Sequence, residues 1–202
     1  MVIERKGLDM VRRDWSFLSK ELRDFCHSNI LSGGASEDVV EAIHNSLIKV
    51  REDMKNGQIS LKKYVITQTL TEPPEKYSYA NARNQPHVQV ALRLKRSGYV
   101  IGCSAGDVVP YIICRQEGNG STSSVGIAQR ARHPDELKGG NESWAIDIDY
   151  YLAQQIHPMI SRLCESIQGT SPSRLAECLG LDPSKFQIKS SESVNNEPSI
   201  TR

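Results

Sequence analysis

Residues 147–167 form the longest periodic segment of the chain, and they set the terms for its fold. Ile148, Leu152, Ile156, Ile160, Leu163 and Ile167 recur every three or four residues, which puts them on one face of a helix. A helix with a single apolar stripe has to bury it, so other elements must supply matching faces. Two earlier stretches do so. Trp15, Leu18, Leu22, Phe25, Cys26 and Ile30 form one stripe, and Val39, Ile43, Leu47, Val50 and Met54 form another. Asp14 is the expected N-cap of the first helix, and Gly33-Gly34 its stop. Ser36 opens the second, with Glu37 and Asp38 in the first turn where the helix dipole favours acids, and Asn56-Gly57 ends it. Two such helices joined by a short Gly-containing loop read as an antiparallel pair. Pro158 lies inside the long segment and is expected to kink it, because proline lacks a backbone donor and crowds the preceding turn.

The stretches between these helices are shorter. Lys63 to Leu70 is rich in β-branched residues and reads as a strand or a helix start, cut short by Pro73-Pro74. Tyr77 to Gln85 is polar and aperiodic, hence an expected loop. Pro86 suits a first helical turn, with Val88, Ala91, Leu92 and Lys95 following at helical spacing and Gly98 ending the element. Val108 to Cys114 is an apolar run containing Pro110, which suggests an edge strand. Glu117 to Gly126 is low-complexity and flexible in composition. A phosphate-cradling loop would be followed by Gly-Lys-Ser/Thr, and Ile127-Ala128 follows instead. Arg130 to Pro134 is a small basic cluster before a short helix; it could face phosphate, but a solvated turn is the preferred reading. His157 is expected to be tied up at the Pro158 kink. Pro172 to Leu181 suggests one more short helix, and the chain from Gln187 onward has the Ser/Asn/Glu-rich composition of a disordered tail. The whole pattern predicts a mainly α fold of α+β type, with a few short strands.

Composition excludes several classes. With 202 residues, 38% hydrophobic and 24% charged, the chain can build a core and is not wholly disordered. The net charge is only +1, whereas a free-standing nucleic-acid binder is usually clearly basic. Any nucleic-acid contact must therefore be a local patch, or part of a larger surface. The five cysteines are widely spaced, odd in number and never arranged as C-x-x-C, which argues for reduced thiols rather than disulfides or a cysteine zinc site. No apolar run approaches the ~20 residues of a membrane span, and no export signal is visible, so no membrane partner is expected.

One stretch carries more charge chemistry than its length explains. Lys6-Gly7-Leu8-Asp9-Met10-Val11-Arg12-Arg13-Asp14-Trp15 packs a Lys, two adjacent Arg and two Asp into ten residues. Neighbouring guanidiniums are costly to bury, and phosphate matches their geometry well. Pairing with Glu4, Asp9 or Asp14 on the surface is the alternative use.

This stretch resembles the segment of family B DNA polymerases that closes the palm and enters the thumb. The resemblance continues in order through Lys63–Thr67, Pro86–Ala91, Gly106–Ile113 and Ile148–Pro158. Gln154–Pro158 and Leu179–Pro183 point to the replicative branch that starts synthesis on short RNA–DNA primers, and Asp38–His44 to a plant version. The resemblance implies the end of a palm domain over residues 1–14, a thumb over 15–168, a short helical extension over 169–186 and a polar tail over 187–202. It implies a DNA-directed DNA polymerase acting in the nucleus, with primer–template DNA or RNA–DNA duplex, the upstream palm and fingers, primase and accessory subunits as partners. It implies Mg²⁺ for the intact enzyme and none in this piece, since the family's metal-binding motifs lie upstream of a segment like residues 6–15. Met1 is therefore expected to begin a fragment, inactive by itself. The pair Asp147 and Asp149 superficially resembles a metal motif, but acids opening a long helix are better explained by capping and the dipole.

A grip on freshly made duplex must ignore sequence, so it should use phosphates and the minor-groove acceptors common to all base pairs. Carried over by position, Lys6, Gly7, Arg12 and Arg13 would face the primer backbone, and Asp14 would orient the arginines. Lys62, Lys63 and Thr67 would lie at the thumb's entrance, with His87 and Gln89 near the duplex. A lone His such as His87 is more often structural. Gln68 and Glu72 stand where the family often carries Lys, which weakens the entrance contact. The reading of a different class is a non-catalytic helical module that holds a partner protein with its apolar faces.

Overall fold

A computed structural model describes residues 14–99, 102–116, 125–138 and 143–187. Lys6, Gly7, Arg12 and Arg13 lie outside the described residues, as does the tail beyond Gln187. The two predicted stripes become α1 (Phe17–Leu31) and α2 (Ser36–Lys55), which pack on each other. Ile43 and Leu47 are fully buried between them and the rest of the core. The connecting turn needs a left-handed residue, which Gly33 supplies at φ 69°. Asp14 is not the cap of α1. Ser16 is: its backbone is extended and its hydroxyl accepts the Ser19 N–H at 3.2 Å. A serine directly before the helix reaches that donor, whereas Asp14 stands two residues too early.

A 3₁₀ turn (Leu61–Tyr64) leads into β1 (Ile66–Thr69), so residues 63–70 divide between turn and strand. The stretch expected to be a loop holds a short helix, α3 (Tyr79–Asn84), before α4 (Pro86–Arg96). Ser78 caps α3 by accepting the Asn81 N–H. The helix has no apolar stripe because Ala82 is its one buried residue, which is why periodicity missed it. The long strand β2 (Val108–Gln116) is not an edge strand. It is the common antiparallel partner of β1, of β3 (Ala131–Arg132) and of β4 (Trp144–Ile146). Pro110 is tolerated because at its level β2 pairs only with β1, the pairing with β3 beginning at Ile112. A short α5 (Pro134–Lys138) links β3 to β4.

The long periodic segment is one helix with a widened middle. It runs from α6 (Ile148–Tyr150) through a π-helical turn (Tyr151–Ile156) into α7 (His157–Leu163). The His157 N–H donates to the Leu152 carbonyl, five residues back. This wide turn sits directly before Pro158, where the missing donor and the ring disrupt the ordinary ladder. Helix α8 (Pro172–Cys178) packs on α2 and α7 and buries Leu175, Ala176 and Cys178. His157 is held by α8 and not by the kink: its Nε2 lies 2.7 Å from the Pro172 carbonyl, and its ring packs on Phe186. All five cysteines are buried free thiols. Burial pushes Cys26 to about 11 and Cys114 and Cys164 to about 12, so none is a ready nucleophile. Among the described residues no helix is long and apolar enough to cross a membrane.

Tyr151 ties these layers together. Its fully buried hydroxyl donates to the Tyr64 carbonyl at 2.7 Å and accepts the Ile113 N–H at 3.1 Å. Its ring meets Tyr64 and Tyr150 edge-on, with centroids 5.1 and 5.2 Å away. Tyr151→Phe keeps the ring and leaves the Ile113 N–H and Tyr64 carbonyl without this partner. Unpaired buried groups cost ~1–3 kcal/mol, so urea unfolding should show a loss of that size with an unchanged m-value.

Candidate nucleic-acid interface

The segment that leads into α1 is fixed by one side chain of the π turn. Gln155, buried, accepts the Ser16 N–H on Oε1 at 3.0 Å and donates from Nε2 to the Asp14 carbonyl at 3.1 Å. One residue on, the Phe17 N–H donates to the Val65 carbonyl at 3.3 Å. The lead-in is thus pinned between the long helix and the stretch that enters β1. Neither Gln155 nor Ser16 stands out in the sequence, since a buried amide serving two backbone groups leaves no periodic signature.

Four of the predicted site residues gather at this corner. Asp14 is held by Gln155, and Lys62, Lys63 and Thr67 follow one another along the adjoining turn and strand. Lys62 is exposed and makes no ion pair among the described residues. Lys63 Nζ lies 2.8 Å from Glu21, both substantially exposed, a pair too solvated to hold the lysine strongly. Thr67 is half-buried and faces Pro110 across the ladder. Gln68 accepts the Tyr111 hydroxyl at 2.9 Å.

His87 and Gln89 lie elsewhere, on α4. His87 is 5% exposed, lies edge-on to Tyr77, and leaves Nδ1 without a partner. Gln89 donates from its amide to the Ala82 carbonyl at 2.7 Å and so joins α4 to α3. The basic cluster at 130–134 is not a solvated turn. Arg130 is 8% exposed, donates to the Cys114 carbonyl at 3.1 Å and pairs with Asp147. Arg132 lies over the Trp144 ring at 3.6 Å and donates to the Gln129 and Ala131 carbonyls. Burial, reinforced by Arg93 nearby, lowers its pKa to about 10. Arg93 itself forks onto Glu136 at 3.0 and 3.1 Å. These arginines hold β3 and β4 to their neighbours.

Asp147 does what capping predicts: its Oδ1 accepts the Tyr150 N–H at 3.0 Å while Oδ2 receives Arg130. Both oxygens are thereby engaged. Among the described residues no group of three or more His, Cys, Asp or Glu is gathered as a metal site. With both Asp147 oxygens engaged and no such group gathered, these residues do not fit the Mg²⁺ that nucleotidyl transfer uses.

A family model described as DNA polymerase family B matches residues 2–167. The chain belongs to that family. Its family B relatives include the DNA polymerase alpha catalytic subunits of Oryza sativa subsp. japonica, 67% identical over 197 residues, and of Arabidopsis thaliana, 64% identical over 200 residues. Each alignment covers 98% of this chain and 13% of the relative. The chain therefore spans about an eighth of these relatives' length. The Drosophila melanogaster alpha catalytic subunit is 42% identical over 185 residues, covering 91% of this chain and 12% of its own. The family B DNA polymerase structure from Pyrobaculum calidifontis aligns with a TM-score of 0.59 and 29% identity, covering 76% of this chain and 18% of that one. The mainly helical fold with its small antiparallel sheet is thus a family B arrangement.

Gln155→Leu removes the acceptor for the Ser16 N–H, which is fully buried with its residue. A loss of ~1–3 kcal/mol is expected, together with faster hydrogen exchange at the Ser16 amide. Burial also holds His87 and His157 below their ordinary 6.5. The unfolded chain then binds more protons, so stability should be full above about pH 6.5 and fall as acid reaches the lower folded pKa values. Urea unfolding on either side of pH 6.5 should show this fall, and His87→Gln should make it shallower.

Proposed function

We propose that this chain is the thumb portion of a DNA polymerase alpha catalytic subunit, and that it grips the primer–template duplex during primer extension in DNA replication. The observation that carries the reading is the likeness to plant alpha catalytic subunits along nearly the whole chain. The corner around Asp14, Lys62, Lys63 and Thr67 supports it. The corner offers ammonium groups and a hydroxyl to a backbone common to all sequences, as a grip that ignores sequence requires. In this reading Lys6, Gly7, Arg12 and Arg13 face the primer backbone, and His87 acts by shaping α4 rather than by touching nucleic acid. Gln89 has the same standing. Polymerisation, Mg²⁺ and the incoming nucleotide belong to the remainder of the polymerase. Palm and fingers, primase and accessory subunits are its partners, and the nucleus its place of work.

A second reading, a helical module that holds a protein, rests on the open groove between α1 and α2. It is lined by Leu18, Leu22 and Val50, with Phe25 47% exposed at its side. Fluorescence anisotropy with a labelled RNA–DNA primer–template separates the two. Weak duplex binding is expected, with log affinity falling as log salt rises by about 0.9 for each phosphate neutralised. Lys62→Ala with Lys63→Ala, and separately Arg12→Ala with Arg13→Ala, should each reduce both affinity and slope. An unchanged slope in either pair removes those residues from the grip. No duplex binding at low salt, with capture of a protein at the groove, favours the module.

A further inference from the structure

The cleft between α3 and α4 has a chemistry that the duplex corner does not use. Its volume is roughly 510 Å³, within the ~300–1,000 Å³ typical of ligand clefts. Arg83, Arg93 and Arg96 line it, and among the described residues no carboxylate does. Arg93 is already neutralised by Glu136. Arg83 and Arg96 are exposed, and their side chains make no ion pair or hydrogen bond among the described residues. Tyr79, at the same cleft, is 80% exposed, more than any other large hydrophobic residue described. Leu92 and Ala82 add apolar surface. The walls are braced: the Gln89 amide holds the Ala82 carbonyl, and Gln129 Nε2 donates to the Arg83 carbonyl at 2.8 Å.

An uncovered aromatic face beside two unpaired guanidiniums is what a single strand of nucleic acid requires: a platform for a base and cations for the phosphates on either side. A duplex cannot use the platform in the same way, because its bases are already stacked on one another. We propose that this cleft binds an unpaired stretch of DNA or RNA, one base stacking on Tyr79 and the flanking phosphates meeting Arg83 and Arg96. Two arginines would also attract an acidic peptide; the bare phenol and the apolar surface favour a base, and the choice of nucleic acid rests on the family B reading above. The site lies on α3 and α4, apart from Lys62, Lys63 and Thr67, so the two contacts can be tested separately.

The test uses the full 202-residue chain, a labelled oligothymidylate of about twelve nucleotides, within the site sizes of such grooves, and a labelled blunt duplex. Tyr79→Ala should weaken binding of the oligothymidylate by roughly five-fold or more, the effect of losing one stacked base, and leave duplex affinity unchanged. Tyr79→Phe should bind like the parent. Arg83→Gln with Arg96→Gln should lower the single-strand salt slope by about 0.7 for each phosphate that is no longer neutralised. With 5-iododeoxyuridine in the oligonucleotide, photocrosslinking should mark Tyr79. All three side chains are exposed, and unchanged thermal melts will show that the variants keep the fold. Equal single-strand affinity in the parent and Tyr79→Ala overturns the proposal, as does displacement of the oligonucleotide by polyglutamate at comparable concentration. Duplex binding without single-strand binding defeats the cleft proposal alone; failure to bind either nucleic acid defeats the duplex reading with it.

Discussion

Placing a phenol hydroxyl inside a core costs free energy unless its donor and its acceptor are both used, and Tyr151 uses both. Its two hydrogen bonds run to backbone groups on different elements, the turn before β1 and the middle of β2. Those elements come from distant parts of the chain, and the helix carrying Tyr151 comes later still. The hydroxyl therefore sets the height at which helix and sheet meet, a job that apolar packing alone does loosely, since hydrophobic contact has no direction. The neighbouring Gln155 extends the same logic to the lead-in, and Asp147 extends it through Arg130 to the turn that precedes β3. One continuous helix, with its cap, thus distributes polar side chains to four separate segments.

The charges divide into two populations. Arg93, Arg130 and Arg132 are committed to Glu136, Asp147, Trp144 and nearby carbonyls. A guanidinium that keeps several hydrogen bonds and a ring face can be buried at tolerable cost. Lys62, Arg83 and Arg96 remain open to solvent. The overall balance of +1 does not report how charge is distributed: each ion pair removes one acid with one base, while Arg83 and Arg96 are grouped at one cleft.

The helical stripes were legible in the sequence because their spacing is a geometric consequence of burial: Ile43, Leu47, Leu152, Ile156 and Ile160 all end in the core. Where burial is slight, the spacing carries no signal. Helix α3 hides a single alanine and is specified by Ser78 and the following Pro86, so it read as a loop. Pro110 suggested an edge because it is locally at one, although the strand as a whole is central. The arginines at 130 and 132 read as solvated because their partners, Asp147 and Trp144, are brought to them only by sheet pairing. In the candidate site, Lys62, Lys63 and Thr67 were found through resemblance and share a corner with Asp14. Gln155, which positions that corner, was not singled out, since nothing local marks an amide that will serve two remote backbone groups.

The wide turn at Tyr151–Ile156 can be understood as an extra residue spliced into a standard helix. Each added residue rotates the downstream half of the helix by about 100°, from the 3.6-residue turn. Tyr151, Leu152, Gln155, Ile156 and His157 are all buried; winding at ~100° per residue would spread them further around the helix than the wider turn does. Pro158 holds the splice in place, because closing it would return the pyrrolidine ring to the carbonyl four residues back. The helix after the splice is therefore offset in phase from the helix before it: within the wide turn Tyr151 and Gln155 are aimed at the sheet and the lead-in, while beyond it Met159 and Ile160 lie on α7, which packs against α1 and α8.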